Sequence, residues 1–74
     1  MYYNYHAIAK KLILNNFAIS ASIFKSYHHI SPALVIYFAN HKPIPIRQYM
    51  WEEYLSLLKT QNVNVLNEDN LPLN

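Results

Sequence analysis

The chain has 74 residues, a formal net charge of +2, and neither cysteine nor glycine. This length is enough for one small domain, and the absence of cysteine excludes a disulfide framework, a thiol nucleophile and a cysteine-ligated zinc site. The absence of glycine excludes the phosphate-binding loops of P-loop and dinucleotide-binding folds, which need close approach of the backbone to the ligand.

The first predicted element is an amphipathic helix over residues 5–14. Its apolar residues recur every three or four positions, which is typical of one helix face: Tyr5, Ile8, Ala9, Leu12 and Ile13. The basic residues Lys10 and Lys11 are left for the outer face, and two asparagines end the helix. No apolar run in the chain reaches the length of about 18 residues that a membrane span requires, so no membrane contact is predicted.

Residues 17–24 are compatible with a strand or with a helix. The alternation of apolar residues with alanine and serine favours a half-buried strand, with Phe17, Ile19, Ala21 and Ile23 on one face. A helix would keep Phe17, Ala21 and Phe24 together but would place the two isoleucines elsewhere. We therefore predict a strand, joined through residues 26–32 to a second strand as an antiparallel hairpin.

Residues 33–58 are predicted to form the centre of the fold. Residues 33–39 are apolar or aromatic on both alternating faces, which indicates a strand that is covered on both sides. Pro43 sets the predicted end of that strand, and Pro45 suits the first turn of a following helix. The apolar stripe of this second helix contains Met50, Trp51, Tyr54, Leu55 and Leu58.

The C-terminal part adds at most a short edge strand at Val63–Leu66. The predicted order is thus α-β-β-α with an optional short third strand, an α+β two-layer domain in which an antiparallel hairpin packs against two helices. The domain is predicted to span residues 1–66, with residues 67–74 as a flexible tail. Left-handed turn positions, which glycine would normally occupy, should fall to asparagine: Asn15 or Asn16, Asn40 and Asn62.

Catalysis, metal binding and cofactor binding are not predicted. The adjacent His28 and His29 point in different directions in any regular structure, and no spacing of histidines suits a metal ion. Glu52 and Glu53 fit the positive start of a helix, and nothing places a nucleophile beside a base. The lack of cysteine fits a reducing compartment, so a cytoplasmic location is expected.

The composition predicts a binding partner. The chain is 53% apolar and 14% charged, whereas globular domains average about 45–50% and about 25%. A domain this small has too little interior to hide so many large side chains, so some should contact a second copy or another protein. Residues 1–51 contain all but one of the lysines and arginines and no acidic residue, which indicates an anionic partner or the two ends of a self-association, or else an ordinary solvated surface.

These features predict a small non-enzymatic interaction module, either a homodimer or an accessory or inhibitor protein bound to a larger protein. Aromatic residues at the centre and cations at the rim are expected to form the contact surface: Tyr2, Tyr3, Tyr5, Lys10, Lys11, Arg47, Tyr49, Trp51 and Tyr54. Replacement of Trp51 by alanine is expected to weaken association by at least about 1 kcal/mol. The alternative is a nucleic-acid-binding protein that uses the acid-free residues 1–51, since aromatic rings stack on bases and cations hold phosphates.

Overall fold

The computed structural model describes residues 5–67, which form two α-helices and a four-stranded mixed sheet. The elements in chain order are α1 (Tyr5–Leu14), β1 (Ala18–Phe24), β2 (Ala33–Phe38), β3 (His41–Arg47), a 3₁₀ turn (Gln48–Met50), α2 (Trp51–Thr60) and β4 (Val65–Asn67). The α+β class, the first helix and the β1–β2 antiparallel hairpin are confirmed. The strand predicted for residues 17–24 is confirmed over Ala18–Phe24, and the helical alternative is wrong.

The strands lie in the order β3-β2-β1-β4. β2 pairs antiparallel with β1 and β3 on its two sides, and β4 pairs parallel with β1. The optional C-terminal strand is therefore present at one edge of the sheet, although it covers Val65–Asn67 rather than Val63–Leu66. Asn67 belongs to β4 and not to the predicted tail, whose remaining residues 68–74 lie outside the described part of the chain.

Residues 41–47 form a strand, so the prediction that Pro43 ends the preceding strand and that Pro45 lies in the first turn of a helix is wrong. β3 lies at the edge of the sheet. Proline is tolerated there because one side of an edge strand has no neighbouring strand to which a backbone N–H would need to donate a hydrogen bond. Pro43 and Pro45 alternate with Ile44 and Ile46, so that both isoleucines point into the core and are buried. The helix α2 consequently begins at Trp51, after the short 3₁₀ turn.

Both helices pack on one face of the sheet. The strand residues of that face lie directly opposite one another in neighbouring strands, as the pairs Ala21–Ile36 and Ile36–Ile44 show. They form one buried cluster with residues of both helices: Ala9, Ile13, Ala21, Ile23, Leu34, Ile36, Phe38, Ile44, Ile46, Trp51, Tyr54 and Leu58. The prediction that Ile19 shares the buried face with Ala21 and Ile23 is wrong. A bulge interrupts the pairing between Ala18 and Ser20, and Ile19 is 64% exposed.

Asparagine ends both helices in the left-handed conformation. Asn16 has φ 64° and Asn62 has φ 60°, and each is followed by a residue whose N–H bonds back to the helix. Phe17 N–H donates to the Leu12 carbonyl and Val63 N–H to the Leu58 carbonyl, both at 2.9 Å, which is the hydrogen-bond pattern of a Schellman motif. Asn40 (φ 59°) turns the chain from β2 into β3. Three of the predicted left-handed positions are thus confirmed, and His28 (φ 53°) adds a fourth.

Candidate functional site

A pocket of about 520 Å³ lies along the β3 edge of the sheet. We call it the β3 pocket. It is lined by residues from the start of α1, from the β1–β2 connection and from β3: Tyr5, His6, Ile30, His41, Lys42, Pro43, Ile44, Pro45 and Arg47. Three separate parts of the chain therefore converge at this edge.

The connection between β1 and β2 is held in place by its own backbone. Tyr27 and Ile30 exchange two hydrogen bonds of 2.8 and 2.9 Å, and His28 takes the left-handed conformation that so tight a turn requires. The ring of Tyr27 also lies 5.6 Å from that of Phe24 at the end of β1. This anchoring fixes the position at which Ile30 enters the pocket wall.

The α1 side of the pocket is tied to α2 by Tyr54. Its hydroxyl donates a hydrogen bond of 3.0 Å to the backbone carbonyl of His6, and the Nδ1 atom of His6 lies 3.3 Å from the same hydroxyl oxygen. Burial and the negative charge of Glu53 raise the pKa of Tyr54 to about 12, so its hydroxyl keeps its proton at neutral pH. Tyr54 is therefore a structural support behind the pocket.

The pocket combines an apolar surface with positive charge. Ile30, Pro43, Ile44 and Pro45 supply the apolar part, whereas Lys42 and Arg47 are exposed cations. Among residues 5–67, no acidic residue lines the pocket. Glu53, in the first turn of α2, instead pairs with Lys10 of α1. Within this described part of the chain, no lining carboxylate offsets the charge of Lys42 and Arg47, and an anionic group is the natural complement.

The structure brings together two of the predicted contact residues at this site, Tyr5 and Arg47, although they lie far apart in sequence. Tyr49 follows two residues after Arg47 and is 78% exposed. Lys11 is exposed but does not line the pocket, and Lys10 is paired with Glu53 and lies 5.8 Å from the centre of the Tyr54 ring. Tyr2 and Tyr3 lie outside the described residues.

Two predicted contact residues belong to the core. Trp51 is 4% exposed and Tyr54 is fully buried, and both pack within the cluster between the sheet and the helices. The apolar stripe of α2 therefore faces its own sheet, and neither side chain presents a surface to a partner. The burial of Trp51 and Tyr54 in the core does not fit the prediction that they form the centre of an interface.

Sequence reasoning missed the residues of β3 itself, namely His41, Lys42, Pro43 and Pro45. Pro43 and Pro45 predict boundaries of regular structure, whereas both lie within a strand. The sequence does contain a pattern that predicts this strand, because two prolines that alternate with two isoleucines suit an edge strand with one buried face. An edge strand over these residues places Lys42 and Arg47 at the same edge of the sheet.

A second, shallower groove of about 680 Å³ lies at the opposite side of the molecule, between α2 and the start of β4. It is lined by Leu55, Lys59 and residues 62–65. In the described part of the chain, no group of three or more histidine, aspartate or glutamate side chains could hold a metal ion. Neither of the two described helices has the length and apolar character needed to cross a membrane.

Comparison with protein-family models, with curated proteins and with solved structures found no match to this chain.

Proposed function

We propose that this protein is a non-enzymatic interaction module, either a homodimer or an accessory or inhibitor protein of a larger protein, and that the β3 pocket receives the partner. The observation that carries the proposal is the pairing of an apolar pocket surface with Lys42 and Arg47 and with no acidic lining residue among residues 5–67. The lack of cysteine fits action in a reducing compartment such as the cytoplasm.

The exposed apolar residues of the fold support an interaction role. Six large apolar or aromatic side chains of the described region are exposed: Tyr5, Leu14, Phe17, Ile19, Tyr49 and Leu66. Tyr5 lines the β3 pocket, and Tyr49 follows the last residue of β3 by two positions. Tyrosine is a preferred residue at the centre of protein interfaces. A partner that covers Tyr5 and Tyr49 would remove part of this apolar surface from water.

The binding mechanism follows from the composition of the pocket. An apolar or aromatic side chain of the partner would pack on Pro43 and Pro45, and a neighbouring carboxylate would pair with Arg47 or Lys42. Arginine can hold a carboxylate by two parallel hydrogen bonds, which fixes orientation as well as charge. The exposed lysine chiefly raises the association rate, and apolar burial supplies most of the affinity.

The chemistry of the pocket favours an acidic, partly apolar protein segment over nucleic acid. Only two of its described lining residues are permanently cationic, so few counterions would be released from a nucleic-acid strand on binding. A single-strand binder normally combines a longer basic groove with several stacked aromatic rings. Among the residues that the structure describes, Tyr5 is the one tyrosine that lines the pocket.

The test is a selection of peptides from a random display library on the purified protein, followed by fluorescence anisotropy with the enriched peptides. We expect enrichment of peptides that place acidic residues beside apolar or aromatic ones. The variant Arg47→Glu should weaken their binding by at least about tenfold, since an uncompensated like charge then faces the ligand. The matched control Lys11→Glu makes the same charge change on an exposed residue outside the pocket and should leave binding within about twofold.

Equal binding by wild-type protein and Arg47→Glu, or a library that yields no enrichment, would contradict the proposal. A labelled single-stranded oligonucleotide is measured in parallel at two salt concentrations. Tight binding that falls steeply with salt and depends on Arg47 would support the nucleic-acid alternative instead.

A further inference from the structure

Two histidines line the β3 pocket, one from α1 and one from β3. His6 lies at the start of α1 and is half-buried, and His41 is the first residue of β3 and is exposed. The other two histidines, His28 and His29, lie in the β1–β2 connection and do not line the pocket. Histidine is the side chain that ordinarily changes its charge between pH 5 and 8. The charge of the pocket therefore depends on pH.

The hydrogen bonds of the two rings show which nitrogen of each carries a proton. The Nδ1 atom of His41 lies 2.9 Å from the carbonyl oxygen of Lys42, and because a carbonyl only accepts, Nδ1 is the donor. The Nδ1 atom of His6 lies 3.3 Å from the hydroxyl oxygen of Tyr54, whose own proton is donated to the His6 carbonyl at 3.0 Å. That oxygen therefore accepts from Nδ1. In both histidines Nε2 is the nitrogen left to gain or lose a proton.

The state of Nε2 decides how each ring meets an anion. Within the part of the chain that the structure describes, no group forms a hydrogen bond with Nε2 of His6 or His41. In the neutral ring Nε2 presents a lone pair, which repels an anionic oxygen, whereas in the protonated ring it presents an N–H group with a positive charge. Nδ1 donates its hydrogen in both states, so the bonds to Tyr54 and Lys42 are kept. Protonation therefore needs no rearrangement of either ring.

The groups around the two rings couple proton uptake to the binding of an anion. Lys10 of α1 and Glu53 of α2 pair with each other, so their charges largely cancel. Tyrosine is uncharged between pH 5 and 8. The cations of β3 oppose a further positive charge in the empty pocket, and a bound anion offsets them while it also attracts each protonated ring. Proton uptake and anion binding therefore strengthen each other. The charged and titratable groups considered are Tyr5, Lys10, Lys42, Arg47, Glu53 and Tyr54.

We propose that His6 and His41 are further anion contacts of the β3 pocket, and that the affinity of the pocket for an acidic ligand rises as the pH falls below neutrality. The inference rests on the proposed function, in which this pocket receives an acidic, partly apolar segment. Protonation of both rings raises the number of cationic side chains that line the described pocket from two to four. At neutral pH, Lys42 and Arg47 alone hold the ligand.

The experiment measures the binding of 8-anilinonaphthalene-1-sulfonate by fluorescence at pH 7.5 and pH 5.5 and at constant ionic strength. This probe joins an apolar aromatic ring system to a sulfonate that is ionised at both pH values, so a change in affinity comes from the protein. The wild-type protein should bind it at least about fivefold more tightly at pH 5.5.

Two double variants assign the response to the pocket. His6→Asn with His41→Asn should bind the probe equally, within about twofold, at both pH values. Asparagine places an amide nitrogen near the position of Nδ1 but has no group that titrates. The matched control, His28→Asn with His29→Asn, removes the same number of histidines outside the pocket and should keep the full response. Asparagine also tolerates the left-handed conformation of His28.

Arg47→Glu at pH 7.5 separates this inference from the proposed function. A loss of affinity of at least about tenfold locates the probe in the β3 pocket. Absence of probe binding, or unchanged affinity in Arg47→Glu, contradicts both the proposed function and this inference. Once the probe is located in the pocket, equal wild-type affinity at the two pH values overturns this inference alone, as does a response that persists in His6→Asn with His41→Asn. Partial unfolding in acid would raise the fluorescence of both double variants alike, so it cannot imitate the expected result.

Discussion

The indole nitrogen of Trp51 donates a hydrogen bond of 2.8 Å to the backbone carbonyl of Ile46. This bond spans the 3₁₀ turn and joins the last residues of β3 to the first residue of α2. Both residues are buried in the cluster between the sheet and the helices. The tryptophan thus sets the angle at which the second helix leaves the sheet edge, and its role is in stability.

We expect Trp51→Ala to lower the free energy of unfolding by about 3–5 kcal/mol, since it removes a large buried ring and leaves the Ile46 carbonyl without its donor. Tyr49→Ala is the matched control: an aromatic residue two positions away that is exposed, whose loss should change stability by no more than about 0.5 kcal/mol. Urea unfolding followed by circular dichroism compares the midpoints. Similar midpoints for the two variants would show that Trp51 is not part of the core.

Tyr54 should make stability fall at high pH. Its pKa is raised from 10.0 to about 12 in the folded protein, first by burial and then by the charge of Glu53. In the unfolded chain the hydroxyl ionises near its ordinary value, so ionisation favours unfolding once the pH exceeds about 10. The stabilising effect is fully present below pH 10 and is lost progressively as the pH rises to about 12. The loss amounts to at most about 3 kcal/mol.

The variant Tyr54→Phe isolates this contribution from the titration of other groups. It removes the hydrogen bond to the His6 carbonyl, so it should be less stable than the wild-type protein at neutral pH by about 1 kcal/mol. The difference in unfolding free energy between the wild-type protein and Tyr54→Phe should shrink between pH 10 and 12. Only the wild-type protein loses stability through ionisation at position 54, because phenylalanine has no proton to lose. Chemical unfolding at several pH values provides the comparison, and parallel stability curves for the two proteins would contradict the assignment.

The left-handed asparagine that ends α2 gives a third prediction. Asn62→Ala should destabilise the protein by about 1 kcal/mol, because a side chain with a Cβ and no local hydrogen bond is disfavoured at positive φ. Asn62→Gly should be neutral or stabilising, since glycine carries no such penalty. Asn64→Ala, which removes an exposed asparagine outside the left-handed set, is the control. If alanine and glycine at position 62 gave equal melting temperatures, the backbone explanation would fail.

The prolines of β3 give a fourth prediction. Replacing Pro43 and Pro45 together by threonine restores two backbone donors and raises strand propensity at this edge. We expect the double variant to fold and to aggregate at lower protein concentrations than the wild-type protein, as measured by light scattering. His41→Thr adds threonine to the same strand at a position that already has an N–H group, and it should not change the aggregation threshold.

The sequence predicted those elements whose local pattern agrees with their tertiary environment. β2 is apolar on both of its faces, and α1 shows a regular stripe, so both were placed correctly. Asparagine at the ends of the helices was predictable because the chain has no glycine to take left-handed positions. The strand β3 could not be predicted in the same way, because proline suits an edge strand as well as the first turn of a helix. Only the order of the strands in the sheet distinguishes these two possibilities.

The candidate site was less predictable than the fold. The stripe that identified α2 as a helix is also the face that packs on the sheet, and so Trp51 and Tyr54 could not also be free for a partner. Tyr5 and Arg47 were chosen for their chemistry, but no sequence pattern indicates that α1 and β3 meet at one pocket. Only the folded arrangement separates aromatic residues that are buried from those that are exposed.

The parallel pairing of β4 with β1 also bears on the order in which the protein can be assembled during synthesis. Ala21 lies beside Val65, so β1 is translated before the strand that covers its outer side. The outer side of β1 therefore has no partner until residues 65–67 have been added, and β1 is longer than β4 and contains no proline. Synthesis of β4 thus completes the protection of β1 from pairing with another chain.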